Sequence, residues 1–351
     1  MPQTHALIAP RGLRRAALII GFMGVATLGS DLDANAKATF VVFDAPGGAG
    51  GTYAIAIDGG AITGYYRDAS NTAHAYVRAP DGSLTTFDPP GSTSTYSFTI
   101  NNGITAGNYL DSSGAAHGFV RHADGTIAPF DPAGSIYTLP TNVNKKGNIT
   151  GYYYDANGVR HGFLRDGKGK ILSFDCPGST GTFATSINKN DTIAGFCWDA
   201  NQVPHGFVRA ADGTTVSFDP PQADLTFAWD INNDGTISGT YHIAGEPLQP
   251  PEMHGFIRTP DGTITKFDPS NFHTPATWAY GINNKARIAG NVTTVGGVDH
   301  GFVRAPDGNI KVFDPPASIE TIARGIDESS GEITGNFTDS SGATHGYVRV
   351  P

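Results

Sequence analysis

After residue 38 the chain consists of short stretches in which apolar and polar residues alternate, separated by turns rich in glycine, proline, asparagine and aspartate. A period of two is typical of half-buried β-strands, and no window shows the 3.6-residue apolar period of a helix. In one representative segment the pattern predicts strands over residues 95–101, 104–111, 117–121 and 126–131, with turns at Asn102-Gly103 and Asp124-Gly125. The sequence therefore predicts an all-β fold.

Three short motifs recur in the same order seven times, with a period of about 44 residues. A His-Gly-Phe-Val-Arg motif, with small variations, begins at His74, His117, His161, His205, His254, His300 and His345. A Phe-Asp-x-Pro motif begins at Phe43, Phe87, Phe130, Phe174, Phe218, Phe267 and Phe313. An Ile-Asn pair or a close variant, followed by x-Ile-x-Gly, begins at Ile57, Ile100, Val143, Ile187, Ile231, Ile282 and Ile326.

Four strand signals per repeat and a period in the forties are typical of a β-propeller blade. The repeat starts out of phase: residues 39–44 form a fourth-strand signal with nothing before it, and residues 345–349 a third-strand signal with nothing after it. We therefore predict one seven-bladed β-propeller over residues 37–351, with four antiparallel strands per blade. The N-terminal strand, residues 39–44, would complete the last blade and remove an exposed sheet edge.

The three motifs and their order resemble the HAF family of probable extracellular repeat proteins, which takes its name from a His-Ala-Phe triplet. This chain carries His-Ala-Tyr at His74, His-Gly-Phe in the next five copies and His-Gly-Tyr at His345. The resemblance extends over about residues 39–349. It implies the repeat type and export, and it supplies no catalytic residues.

The first 36 residues have the pattern of a secretory signal peptide. Arg11, Arg14 and Arg15 precede an apolar run over residues 16–28, which is too short to span a bilayer as a helix. The small-x-small sequence Ala34-Asn35-Ala36 follows as a cleavage pattern. The sequence thus predicts a secreted or periplasmic protein without a membrane span; an uncleaved N-terminal anchor is the alternative.

Composition and charge narrow the choice of partners. The 351 residues carry a formal net charge of −9, and adjacent basic pairs occur only at Arg14-Arg15 and Lys145-Lys146. A chain without a basic stripe is poorly suited to binding nucleic acid through phosphate neutralisation. We expect a monomer whose partner is a small molecule, a glycan or a protein.

The repeated histidines predict a structural role. Strand geometry should bring His117 close to Asp131 on the fourth strand and to Asp111 in the turn across from it. Such a His between two carboxylates, present once per blade, would lock the strands together, and the repeat arginine would pair or snorkel at the other rim. The alternatives are a girdle of metal-binding histidines or an acidic, Ca²⁺-binding face. No Asp-x-Asp-x-Asp-Gly loop supports calcium, and the sequence predicts no cofactor.

Comparison between copies identifies candidate ligand-facing residues on the innermost strands. When the copies are aligned on the isoleucine of the Ile-Asn motif, the residue two places before it varies freely, whereas neighbouring positions stay fixed. Trp229, Tyr280 and Arg324 occupy this variable position in three copies. Asp230 is the most polar residue at the position directly before the isoleucine. We expect these four side chains to line the central channel. Blade-specific packing is the alternative explanation.

Two loops depart from the repeat in the predicted fifth and sixth blades. Residues 242–253 enlarge one loop and residues 271–273 another. Because both loops belong to neighbouring blades and one face, we expect them to form one sector suited to a sugar or another flat group. That sector contains His242, Glu246, Glu252, Phe272, His273 and Trp278. Random drift of surface loops is the alternative.

The cysteine content is limited to Cys176 and Cys197, which replace repeat residues in adjacent blades at the same face. An exported protein meets an oxidising compartment, where such a pair tends to form a disulfide. Two buried thiols are the alternative.

Three hypotheses for function follow. An exported propeller that acts as a binding or interaction scaffold fits the regular repetition. A secreted hydrolase or lyase with its site at the channel mouth near blades five and six fits the broken symmetry there, although no catalytic signature is present. A self-associating cell-surface protein is the third.

Overall fold

The computed structural model describes residues 38–246, 252–269 and 276–351. These residues form strands and turns without any helix, as the alternating pattern predicted. No segment in the described ranges forms a helix that could cross a bilayer. The predicted signal peptide, residues 1–36, lies outside the described residues.

The strands pair antiparallel in groups of four, which we call units one to seven in chain order. Units one to three contain β2 (Thr52–Asp58), β3 (Ala61–Arg67), β4 (Ala73–Arg78), β5 (Leu84–Phe87); β6 (Ser94–Asn101), β7 (Ile104–Leu110), β8 (Ala116–Arg121), β9 (Ile127–Phe130); and β10 (Ser135–Val143), β11 (Ile149–Asp155), β12 (Arg160–Arg165), β13 (Ile171–Phe174). Units four to six contain β14 (Gly181–Ile187), β15 (Ile193–Trp198), β16 (Pro204–Arg209), β17 (Thr215–Phe218); β18 (Ala223–Ile231), β19 (Ile237–Ile243), β20 (Met253–Arg258), β21 (Ile264–Phe267); and β22 (Ala276–Ile282), β23 (Ile288–Thr293), β24 (Asp299–Arg304), β25 (Ile310–Phe313). Unit seven contains β26 (Ser318–Ile326), β27 (Ile333–Asp339), β28 (Thr344–Val350) and the N-terminal strand β1 (Thr39–Phe43).

The N-terminal strand pairs with the C-terminal strand. β1 lies antiparallel to β28, from Thr39 opposite Val350 to Phe43 opposite Gly346. The order β1-β28-β27-β26 gives unit seven the same four-stranded arrangement as units five and six. Single parallel bridges, Tyr137 to Ala116 and Arg160 to Gly181, link units two, three and four.

The turn between the third and fourth strands shows why aspartate and glycine recur there. In unit two, Asp124 Oδ1 accepts hydrogen bonds from the amide of Thr126 at 2.9 Å and from its hydroxyl at 2.7 Å. Gly125 follows with φ of +91°, a conformation that glycine adopts without strain. This local chemistry fixes the hairpin whose strands carry His117 and Asp131.

Every first strand contains a β-bulge near its C-terminal end. In unit two the register shifts between Ser97 and Thr99, so that Phe98 has no partner on β7. The glycine of the x-Ile-x-Gly motif accommodates this geometry, because a Cβ at Gly107 would overlap the carbonyl oxygen of Tyr96. The bulge changes the side-chain alternation and brings Ile100 to the buried face.

Each repeat arginine lies over the phenylalanine of the preceding unit. The distances from Cζ to the ring centroid are 4.6–5.0 Å. The series includes Arg78 of unit one over Phe43 of β1, and Arg349 of unit seven over Phe313 of unit six. The prediction that these arginines pair or snorkel at the other rim did not include this contact with a ring. A cation–π contact between units takes that place.

Candidate functional site

The structure places His117 between the two predicted carboxylates. Nδ1 lies 2.7 Å from Asp131 Oδ2, and Nε2 lies 3.5 Å from Asp111 Oδ2. The hydrogen bond with Asp131 raises the pKa of His117. The hydroxyl of Ser113 and neighbouring amides hold the pKa of Asp111 at about 2. Thr138, on the first strand of the next unit, donates to Asp131 Oδ1 at 2.5 Å, so this lock also joins two units.

The contact between Nδ1 of the histidine and the carboxylate after the fourth strand recurs at the other repeat histidines. In each case Nδ1 lies 2.7–2.9 Å from a carboxylate oxygen at the end of a fourth strand. In unit seven His345 reaches Asp44, the residue that follows β1, at 2.9 Å. The seven histidines are thus held in repeated strand-to-strand contacts. In the described residues no group of three or more His, Cys, Asp or Glu side chains could hold a metal ion.

The structure changes the interpretation of two residues in the predicted fifth-blade sector. His242 is not ligand-facing: its side chain is 1% exposed and its Nδ1 lies 2.6 Å from Asp224. Glu246 lies 2.8 Å from Nε2 of His254 and takes the place that Asp111 has in unit two. The enlarged loop therefore still supplies the carboxylate of a lock. Phe272 and His273 lie outside the described residues.

Trp229, Tyr280 and Arg324 occupy the bulge position of three consecutive first strands. Register shifts span Ala228–Asp230, Trp278–Gly281 and Ala323–Gly325. The ring centroids of Trp229 and Tyr280 lie 5.9 Å apart, and the Arg324 guanidinium lies 5.9 Å from the Tyr280 ring centroid. Burial raises the pKa of Tyr280 to about 12. The three residues form a contact series that we call the aromatic–arginine cluster.

Units three and four carry threonine at the bulge position, whereas units one and two carry Ile55 and Phe98. There Thr141 donates to the carbonyls of Thr150 at 3.1 Å and Ala184 at 2.9 Å. Thr185 does the same with Ala194 and Ala228. A threonine thus ties its own second strand to the next unit. In the aromatic–arginine cluster, Trp229 Nε1 and Arg324 Nε are buried without a hydrogen-bond partner among the described residues. The Nε atoms of four repeat arginines, Arg165, Arg258, Arg304 and Arg349, share this property, whereas the indole of Trp278 does not.

Asp230 is a clamp between units rather than a group free to meet a ligand. Its Oδ1 accepts hydrogen bonds from the Ser186 hydroxyl at 2.6 Å and the Ile231 amide at 2.9 Å. Its Oδ2 accepts from the Ile282 amide at 2.9 Å. These donors belong to units four, five and six. Removal from water outweighs the hydrogen bonds and raises the pKa of Asp230 to about 6.

Trp278 borders the cluster without belonging to the enlarged loops. Its ring stacks on Tyr280 with centroids 6.3 Å apart. Its indole Nε1 donates to the hydroxyl of Thr293 at 3.3 Å. The side chain is therefore satisfied within unit six and supports the position of Tyr280.

Glu328 collects donors from units two, three, five and six, a convergence that the sequence comparison did not identify. Its carboxylate lies 3.1 Å from Lys145 Nζ and accepts from Asn284 Nδ2 at 3.0 Å and Asn233 Nδ2 at 3.2 Å. Asn101 Nδ2 approaches within 3.5 Å. A signal was present in the sequence: two places after the isoleucine of the Ile-Asn motif, the residue varies among Gly, Asn, Lys and Glu, and Glu328 is the glutamate at that position.

Side-chain amides link consecutive units beside Glu328. Asn144 donates to the Asn188 carbonyl at 2.9 Å, Asn188 to Asn232 at 3.2 Å, and Asn232 to Asn283 at 3.1 Å. Asn283 continues to the Asp327 carbonyl at 3.3 Å. The series crosses to unit one, where the amide of Gly59 donates to Asp327 Oδ2 at 2.6 Å.

Cys176 and Cys197 are joined in a disulfide with a Cα–Cα distance of 6.4 Å. Both residues are 4% exposed. The bond connects the loop that leaves unit three to the second strand of unit four.

The sequence matches no protein-family model and no curated protein. Among solved structures, an inactive variant of virginiamycin B lyase from Staphylococcus aureus, solved with quinupristin, aligns with 90% of this chain and 100% of its own at a TM-score of 0.61 and 14% identity. A lectin from Burkholderia pseudomallei aligns with 83% of this chain and 92% of its own at 0.53 and 10%. Puromycin hydrolase aligns with 85% of this chain at 0.58 and 13%, and the match spans 53% of its length.

These neighbours are β-propeller proteins. The chain has a β-propeller fold. At 10–14% identity the likeness shows the fold alone. In a propeller the sheets surround a central channel. The first strands, which carry the aromatic–arginine cluster, are then the strands nearest that channel, and Glu328 lies at the end where the first and second strands join.

Proposed function

We propose that this protein is an exported seven-bladed propeller of the HAF-repeat type that binds a ligand through the aromatic–arginine cluster and performs no chemistry on it. Export rests on the signal-peptide pattern of residues 1–36, and the repeat type rests on the three motifs. A flat ligand with an acidic group suits two aromatic rings and a guanidinium.

Closure into one ring is supported by contacts between the first and last units. Arg78 lies over Phe43, and the Gly59 amide donates to Asp327. The first contact repeats one made between units adjacent in the chain, and the second continues the amide series. The convergence of four units on Glu328 also favours a narrow ring, because one side chain cannot collect donors from distant blades of an open array.

Binding at the cluster is carried by one observation: three consecutive units place two aromatic rings and a guanidinium, those of Trp229, Tyr280 and Arg324, in contact at the bulge position. These units lack the inter-unit hydrogen bonds that Thr141 and Thr185 make. The indole Nε1 of Trp229 is buried without a partner among the described residues. An unsatisfied buried donor costs stability, so its presence favours a role outside the scaffold.

The alternative of a hydrolase or lyase near units five and six has less support. A catalytic site there would need the side chains of His242 and Glu246 to reach a substrate. His242 is buried against Asp224, and Glu246 lies against His254. The activities of the lyase and hydrolase neighbours belong to those proteins.

A combined binding and turnover screen tests the proposal. Mature protein, residues 37–351, is incubated with aromatic carboxylates, glycans, nitrophenyl esters and phosphoesters; tryptophan fluorescence reports binding and mass spectrometry reports products. We expect binding without product, at least tenfold weaker in Trp229→Leu and Arg324→Gln and unchanged in Phe98→Leu, which alters the bulge position of unit two. Turnover abolished by Glu246→Gln or His273→Ala, or binding indifferent to Trp229, would overturn it.

A further inference from the structure

A cleft between units three and four has a lining that no other unit repeats. It has a volume of about 220 Å³ and is lined by Gly158, Arg160, Thr180, Gly181, Trp198 and Gln202. Arginine precedes the repeat histidine only in unit three, and tryptophan ends the second strand only in unit four. The cleft is therefore a departure from the repeat and not a consequence of it.

Arg160 is held in a defined orientation in this cleft. Its Nε donates to the Tyr154 hydroxyl at 2.5 Å. Its guanidinium lies 4.9 Å from the Tyr154 ring centroid, 4.6 Å from that of Phe183 and 6.0 Å from that of Trp198. No carboxylate of the described residues forms an ion pair with it. A fixed, uncompensated guanidinium is well suited to a planar acid group, which it can bind through two parallel hydrogen bonds.

The opposite side of the cleft offers groups suited to hydroxyls. Thr180 and Gln202 are exposed. Gln202 Nε2 donates to the Thr180 hydroxyl at 3.1 Å, which fixes both side chains. Gln202 is held at φ of +64°, so the turn presents its side chain at this edge. With Trp198 as an apolar surface, the lining combines the three contacts that an acidic sugar needs.

The disulfide fixes the two sides of the cleft relative to each other. Cys197 directly precedes Trp198, and Cys176 lies four residues before Thr180. The bond therefore joins the unit that carries Arg160 to the unit that carries Trp198. A covalent link across a binding site reduces the ordering cost of binding. The nearby carboxylates of Asp155 and Asp199 lie 3.8 Å from Nε2 of His161 and His205, and neither forms an ion pair with Arg160.

From these observations we infer that the cleft binds one uronic acid residue of an acidic glycan, with its carboxylate on Arg160, its ring on Trp198 and its hydroxyls toward Thr180 and Gln202. The volume is below the range typical of drug-sized ligands and suits a single sugar. This site is separate from the aromatic–arginine cluster.

Titration of the mature protein with galacturonate, glucuronate and mannuronate oligomers, each beside its neutral counterpart, tests this inference by calorimetry. We expect at least one uronate to bind at least tenfold more tightly than its neutral form. Arg160→Gln and Trp198→Ala should each weaken binding at least tenfold, and Arg160→Lys should weaken it less. Leu110→Ala, at the position of Trp198 in unit two, is the matched control; circular dichroism checks that every variant folds.

Three results would overturn the inference: no uronate binds, neutral and acidic forms bind equally, or Arg160→Gln binds like the wild type. Trp229→Leu separates the two sites. It should leave uronate binding intact, and uronate binding lost in Trp229→Leu but kept in Trp198→Ala would assign the acidic sugar to the channel.

Discussion

Replacement of Phe43 by alanine tests whether the N-terminal strand completes the ring. Phe43 is half-buried, its ring carries the Arg78 guanidinium at 4.9 Å, and it meets Tyr76 edge-on at 6.2 Å. Phe87, in unit one, makes the same contacts with Arg121 at 5.0 Å and Phe119 at 5.8 Å. If β1 is part of a closed ring, the replacement of Phe43 and the replacement of Phe87 should remove equivalent contacts with an arginine and an aromatic ring.

The magnitude follows from burial and the cation–π contact. Truncation of a fully buried phenylalanine costs about 3–5 kcal/mol. A half-buried ring should lose roughly half of that, and the exposed type of cation–π contact adds about 0.5–1 kcal/mol. We therefore expect Phe43→Ala and Phe87→Ala each to lower the free energy of unfolding by about 2–3 kcal/mol, with values that agree within about 0.5 kcal/mol of each other.

Denaturant unfolding of mature protein, followed by circular dichroism and tryptophan fluorescence, measures this effect as a shift of the midpoint at constant slope. Val42→Ala is the surface control on the same strand, because Val42 is 45% exposed and should change the midpoint little. The reasoning fails if Phe87→Ala lowers the midpoint while Phe43→Ala does not, since an undocked β1 would contribute nothing to unit one.

Three further predictions concern contacts between units. Desolvation raises the pKa of Asp230 to about 6, so the native chain binds more protons than the unfolded chain between about pH 4 and 6. As the pH rises through that range, the wild type should lose about 3 kcal/mol of unfolding free energy relative to Asp230→Asn. Denaturant titration of both proteins at each pH measures this difference. Glu328→Gln should lower the unfolding free energy by about 1–2 kcal/mol, less in 1 M salt, and equal stability at low salt would contradict its role. Cys197→Ser should cost about 3 kcal/mol for a bond between residues 21 apart in sequence, and thiol titration of the denatured, non-reduced wild type should detect no free thiol.

The sequence predicted the strands well because strand and turn signals are local. The strand predicted over residues 95–101 is β6, Ser94–Asn101, and the one over residues 126–131 is β9, Ile127–Phe130. His117 and Asp131 could be brought together because a two-stranded hairpin fixes their spacing. The all-β class and the propeller fold followed from the number of such signals per repeat.

Contacts between units were harder to predict because they depend on how one sheet packs against the next. The stacking of Arg121 on Phe87 is invisible within a single repeat, since each residue belongs to a different unit. The bulge at Phe98 carries no residue type of its own, so the alternating pattern does not reveal it. The convergence on Glu328 depends on how several units are arranged around one side chain.

Variation at a fixed position of a repeat has two physical causes, and the structure separates them residue by residue. At Asp230 the unusual residue is satisfied by its neighbours through three hydrogen bonds. Such a residue joins units of the scaffold. At Trp229 the buried indole Nε1 has no partner among the described residues, and at Arg160 a fixed guanidinium has no carboxylate. A residue that leaves its own chemistry unsatisfied in the scaffold is the kind that a ligand can satisfy, and for that reason the cluster and the cleft are places to look for function.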